Sequence, residues 1–163
     1  MITLGIDPGT LHTGYGLVRR VGSRVIRIDS GTIHTDAKAD MAVRLLMIRD
    51  RLEEILTACP PDHAAVEDVF FSKNANSALK LGQVRGVILV TLAARGIRTA
   101  SFPPALVKRS IVGSGRADKA QIQRVIQAVL GMKDPPQADE ADALAIAVCA
   151  SNGLPAVPHR VRK

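Results

Sequence analysis

A mixed α/β fold is predicted for this chain: one sheet that begins antiparallel and continues parallel, with helices on both faces. Three observations predict it. Short β-patterned runs joined by glycine-containing turns occupy residues 2–33. From residue 41 onward, helical stripes and short strands alternate, so later strands are linked through helices and run parallel. The 163 residues suit a single domain, long enough to bury ~70% of the unfolded surface.

The elements follow in order. Ile2, Leu4 and Ile6 alternate and end at Asp7, which opens the turn Asp7-Pro8-Gly9-Thr10. Gly14 to Val18 begins a second strand, Val21-Gly22-Ser23 turns it, and Arg24 to Ile28 forms the third, with Gly31 before Thr32-Ile33. A polar connection, Asp36 to Asp40, leads into a helix with the stripe Leu45, Ile48, Leu52, Ile55 and Leu56. Pro60-Pro61 stops it, and Ala64 to Phe71 reads as a buried strand carrying Glu67. The polar loop Ser72 to Asn76 caps a long helix over roughly 77–95, with Gly96 as its C-terminal stop. Ile97 to Phe102 is a strand cut by Pro103-Pro104, and a short helix then carries Leu106, Val107 and Ile111. Gly113-Ser114-Gly115 is a hinge or a phosphate-facing turn. Asp118 with Gln121 caps a helix striped by Ile122, Val125, Ile126, Val129 and Leu130, and Gly131 ends it. The last helix spans about 139–151. One domain over 1–152 is expected, followed by a basic, disordered tail over 153–163.

Charge narrows the function. Lysine and arginine total 22 against 15 acids, a net charge of +7, and the sequence pI is near 10.0. Such a surface attracts polyanions, although charge alone fits weak, unspecific nucleic-acid binding equally well. Cys59 and Cys149 have no metal or redox spacing and read as core thiols. No leader-like segment precedes the first strand, and the longest apolar run, Val87 to Ala94, falls short of the ~20 residues of a bilayer span. The reading is cytoplasmic, with no membrane partner.

Against this basic background stand Asp7, Glu67, Asp139 and Asp142, acids at the ends of inner elements. Such positions cost desolvation energy unless a cation or a proton compensates. Asp139 and Asp142 are three apart at a helix start and share a face. Hard divalent cations prefer oxygen ligands, and paired ions suit phosphodiester hydrolysis. Each acid also has a plain explanation: Asp7 as a turn former, Glu67 as the partner of a buried arginine, Asp139 as a helix cap. Asp142 on the same face is harder to explain so, because a cap needs one acid.

Three segments resemble a known family. They are Asp7-Pro8-Gly9-Thr10 with Thr13-Gly14-Tyr15-Gly16; Glu67, Val69-Phe70 and Lys73-Asn74 with Ser77-Ala78-Leu79-Lys80-Leu81-Gly82-Gln83; and Gln137-Ala138-Asp139 with Ala141-Asp142-Ala143-Leu144-Ala145. Together they resemble the RuvC-type Holliday-junction resolvases, from residue 1 to about 151. The resemblance implies an RNase H-like mixed five-stranded sheet and a homodimer acting on four-way junction DNA. It further implies Mg²⁺-dependent nicks in two opposed strands, two ions per site with Mn²⁺ as a substitute, and branch-migration motor proteins as partners. The ligands it implies are Asp7 bridging both ions, Glu67 on one side, and Asp139 and Asp142 on the other.

Lys119 is implied near the scissile phosphate, with Lys108. Phe70 is implied as a ring stacked on an unpaired base, while Phe71 takes the core. Lys73, Asn74, Lys80, Arg85 and Arg116 complete the expected DNA contacts. The long helix is implied at the dimer interface; Leu79, Val87, Leu89, Val90 and Leu92 fit that placement and fit simple burial too. Asp68 receives no role, but as the next strand residue it should face away from Glu67. The four histidines receive none. Competing readings are a generic RNase H-like nuclease, a silent junction-binding module and an actin-like nucleotide binder. The last is disfavoured because no second lobe is present.

Overall fold

Near-continuous burial along the first strand and most of the second marks a sheet with two covered faces. In a computed structural model, which describes residues 1–68, 75–113 and 117–153, β1 (Ile2–Asp7), β2 (His12–Val21) and β3 (Arg24–His34) form an antiparallel meander. β4 (His63–Glu67) joins β1 in parallel, and β5 (Arg98–Phe102) joins β4 in parallel. The order is β3-β2-β1-β4-β5, so the expected mixed five-stranded sheet is present.

Helices cover both faces. Leu4 and Ile6 of β1, with Ala64 and Val66 of β4, meet α1 (Met41–Ala58) through Ile48, Leu52, Ile55 and Leu56, and α2 (Ala75–Ala94) through Val84, Ile88 and Leu92. The other face packs Ala65 and Phe102 against α3 (Pro104–Val112), α4 (Lys119–Leu130) and α5 (Ala138–Ser151). The cap of α4 forms as its sequence implies: Asp118 accepts from the Gln121 amide, Gln121 answers the Asp118 amide, and Gly131 closes the helix in the left-handed region at φ 61°. A second capping box, Gln137 with Glu140, starts α5.

Three expectations change. The third strand does not stop near Asp29-Ser30-Gly31; it runs on to His34, and a register shift opposite Leu17/Val18 takes up the extra residue. Pairing with β2 outweighs the local turn preference of those residues. Leu92 is fully buried against the sheet and leaves the list of interface candidates, whereas Leu79 and Val90 are each 70% exposed. At 20 residues with a mean hydropathy of 1.3, α2 is also long and apolar enough to span a bilayer, which the shorter apolar run in the sequence does not suggest. Here its buried side seats it on the sheet and on α1. Cys149 is buried and Cys59 half-buried, and both are free thiols. Residues 154–163, where the disordered tail was expected, lie outside the described residues.

Candidate active site

Asp7 ends β1 and Glu67 ends β4. The parallel register pairs Ile6 with Val66, so these two acids come side by side one step later. By alternation both point to the face covered by α5, together with Gly5 and Ala65. α5 brings Asp139 from its first turn and Asp142 from its second to the same end of the sheet.

Two glycines let α5 approach so closely. A Cβ on Gly14 would lie 2.0 Å from the Asp139 carbonyl oxygen, and one on Gly5 would lie 2.2 Å from the Ala143 carbonyl oxygen. Gly14 pairs with Asp7 across β1 and β2, so it sits where the two acid-bearing elements meet. Gly14→Ala is therefore expected to push the first turn of α5 outward. A backbone atom cannot rotate away, so overpacking should cost about 1–3 kcal/mol, lowering Tm by roughly 2–12 °C. Differential scanning calorimetry checks this, and an unchanged Tm would show that α5 gives way without cost.

Glu140 clamps α5 from the opposite side. It accepts a hydrogen bond from the Ser30 hydroxyl, which itself accepts from Arg27 Nε, and the Arg27 guanidinium lies 3.7 Å from Glu140 Oε1. Ser30 falls just past the third strand as the sequence pattern bounds it, Arg24 to Ile28, so nothing local signals this network.

Asp7, Glu67 and Asp142 line a cleft of about 290 Å³ with Lys108, Lys119, Pro104, Val107 and Ile122. A larger hollow of about 540 Å³ between β3 and the α4–α5 connection contains Arg27, Lys133, Asp134 and Glu140 but none of the four end-of-element acids. Three of those acids gather at the smaller cleft instead. Lys119 spans two of the acids of α5, its ammonium 3.8 Å from Asp139 and 3.9 Å from Asp142.

The cleft holds its protons tightly. Burial first, then the neighbouring Glu67 and Asp142 charges, push the Asp7 carboxyl up to about 9 from an ordinary 3.8. Burial raises Glu67 to about 7, against a hydrogen bond from Asp7 and the charges of Lys108 and Lys119. Burial raises Asp142 as well, opposed by Lys119 and Lys108. Among the described residues no three ligating side chains are drawn into a ready cation cage. The donor set nonetheless fits a hard divalent ion: oxygen-only ligands, desolvated, and short of the positive charge that would let them all ionise.

Other expected contacts divide. Lys80 is exposed on α2 and Lys108 is half-buried at the cleft wall. Arg85 is turned into the fold, 13% exposed, and bonds within the protein, so the phosphate contact expected of it gives way to an internal role. Asp68 faces away from Glu67 as alternation requires and pairs with Arg85 at 3.3 Å. Phe70, Phe71, Lys73, Asn74 and Arg116 lie outside the described residues. His12 and His34, unassigned from sequence, meet across β2 and β3 with their Nδ1 atoms 2.9 Å apart. Cross-strand register is the signal that brings them together.

The family model of crossover junction endodeoxyribonuclease RuvC matches residues 3–150. A protein of that name from Sorangium cellulosum is 47% identical, the alignment covering 99% of this chain and 96% of the relative. Another from Pelobacter propionicus is 45% identical, covering 98% of this chain and 95% of the relative. Among solved structures, T. thermophilus RuvC in complex with Holliday junction substrate superposes with a TM-score of 0.86 at 31% identity, covering 93% of each chain.

Proposed function

The chain belongs to the RuvC family of crossover junction endodeoxyribonucleases, and from that membership and the acidic cleft we propose that it resolves four-way DNA junctions by paired nicks in opposed strands. The observation that carries the reading is the convergence of Asp7, Glu67 and Asp142 in one cleft beside Lys108 and Lys119.

Asp7, Glu67, Asp139 and Asp142 would hold Mg²⁺, two ions per site, with Mn²⁺ as a substitute. The bound cation supplies Lewis-acid charge at the scissile phosphate and acidifies water. The chain's own residues do the rest. Asp7, at the floor of the cleft, keeps its carboxylate out of bulk water, where its charge acts most strongly. Lys119 stands at the rim, 67% exposed, able to leave its two acids and donate a charge-assisted hydrogen bond to a phosphate oxygen. Lys108 supports it from the α3 wall. Lys73, Asn74, Lys80 and Arg116 hold the junction backbone, and Phe70 stacks on an unpaired base at the branch point.

A four-way junction presents two equivalent strands, and each domain carries one acidic cleft, so the working unit is a symmetric dimer. The exposed side of α2, with Leu79 and Val90, forms its contact. Branch-migration motors would deliver the junction, and the setting is cytoplasmic. In sedimentation velocity the protein is expected at twice its 17.3 kDa monomer mass. Leu79→Glu should shift it toward monomer and lose paired nicking; a wild-type monomer that still makes paired nicks would contradict the assembly.

The deciding experiment incubates the protein with Mg²⁺ and either a four-way junction or a linear duplex of the same sequence. Symmetric nicks in the junction alone support the proposal. Equal cutting of the duplex or of an RNA–DNA hybrid would identify a generic nuclease, and tight binding without nicks a binding module.

A further inference from the structure

We infer that Arg85 is a positioning residue for the carboxylate of Glu67, acting through the end of β4 and touching neither metal nor DNA. The inference rests on the proposed metal-dependent cleavage, since only there does the direction of Glu67 matter.

Two hydrogen bonds and an ion pair from one guanidinium carry it. Arg85 Nε donates to the Glu67 carbonyl oxygen at 3.3 Å, and Nη2 donates to the Ser101 hydroxyl at 2.6 Å. Nη2 also lies 3.3 Å from Asp68 Oδ1. Glu67 is the last residue of β4, where a strand is most prone to fray. The Asp68 amide continues the pairing one step, donating to the Phe102 carbonyl at 2.9 Å. Arg85 therefore grips the final peptide of β4 from the α2 face, holding its carbonyl, the next side chain and the adjacent β5 hydroxyl together.

Alternation converts this grip into a direction. With Asp68 drawn toward α2, Glu67 must project to the opposite face, where Asp7 and α5 wait. The same arrangement accounts for Asp68, an acid that contributes nothing to the cleft. A phosphate contact would require a guanidinium that is 13% exposed to abandon three partners, one of them the Asp68 carboxylate. A lysine cannot reproduce the fork, because its single ammonium has no fixed planar array of donors.

The experiment uses the full chain with Arg85→Gln and Arg85→Lys. Mn²⁺ affinity is measured by electron paramagnetic resonance of the free ion, junction affinity in Ca²⁺ across a salt series, and nicking under saturating junction. Replacing a residue that orients a metal ligand typically costs 10–100-fold in metal affinity or activity. Arg85→Gln should therefore weaken Mn²⁺ binding by about tenfold or more. The nicking rate should fall, while junction affinity and its salt dependence stay at wild-type values.

Wild-type Mn²⁺ affinity in Arg85→Gln would overturn the inference. So would a salt slope reduced by about one, the mark of a lost phosphate contact. Should Arg85→Gln not fold, Arg85→Lys carries the test, since a phosphate contact survives that change and a positioning fork does not. Wild-type protein that cuts the junction while Arg85 variants bind Mn²⁺ normally defeats the Arg85 role alone. Wild-type protein that neither binds Mn²⁺ nor nicks defeats the proposed function beneath it.

Discussion

Asp7→Asn is expected to abolish strand cleavage and, in the metal-free protein, to raise the melting temperature. Asp7 is the carboxylate most deeply placed in the cleft, and its loss removes one of the acids that would hold the cation. A fall on the order of a thousandfold or more is expected, the scale on which preorganised charge at a reacting centre operates. Junction binding should persist, because basic residues contacting phosphates supply it.

The gain in stability follows from protons. Asp7 titrates near 9 and Glu67 near 7 in the folded chain, both raised above their ordinary values by burial first. A carboxyl with a raised folded pKa contributes stability that is fully present below its unfolded pKa, near 4, and is lost as pH rises through the folded value. The metal-free protein should thus weaken steadily between about pH 4 and pH 9. Asparagine has no proton to lose and can still donate to Glu67. Melting in chelator should give similar Tm values for both proteins near pH 5. The variant should lead by about 1–2 kcal/mol, or roughly 2–8 °C, near pH 8. A gap that stays constant with pH would break the link between burial of Asp7 and stability.

Removing the cation should match the loss of Asp7 in size. Excess chelator is expected to stop nicking of the junction, and Mg²⁺ or Mn²⁺ to restore it. Ca²⁺ should allow binding with little turnover, since its longer and looser coordination positions water and phosphate poorly. The pH dependence has a definite sign. Protons on Asp7 and Glu67 must leave as a cation enters, so metal binding should strengthen as pH rises. The half-saturating Mg²⁺ concentration should fall between pH 6 and pH 9, by up to about tenfold per unit for each proton displaced. Thermal stabilisation by Mg²⁺ should grow over the same range. Nicking at full rate in chelator would exclude metal-dependent hydrolysis, and a half-saturating concentration independent of pH would mean that the acids lose their protons without the ion.

Much of this was legible without coordinates because it is local. Asp118 with Gln121 and the closing Gly131 mark the ends of α4 within a few residues of chain. Asp139 and Asp142 share a face by helix geometry alone, and Asp68 opposes Glu67 by strand alternation. Misreadings arose where distant pairing overruled a local preference. Asp29-Ser30-Gly31 lies beyond the strand pattern of Arg24 to Ile28 until β2 pairs with it, and at Leu92, which fits interface and burial alike, the sheet decides for burial.

The sequence by itself determined which acidic side chains are present, which elements carry them and which face of each element they occupy, since periodicity and capping act over a few residues. Only the tertiary structure decided that these faces meet. The parallel register of β1 and β4 sets Asp7 beside Glu67, the bare backbones of Gly5 and Gly14 admit α5, and Glu140 ties α5 to β3. The same long-range packing turned Arg85 inward and left Lys119 at the rim, a difference between two basic residues that depends on what each helix is pressed against.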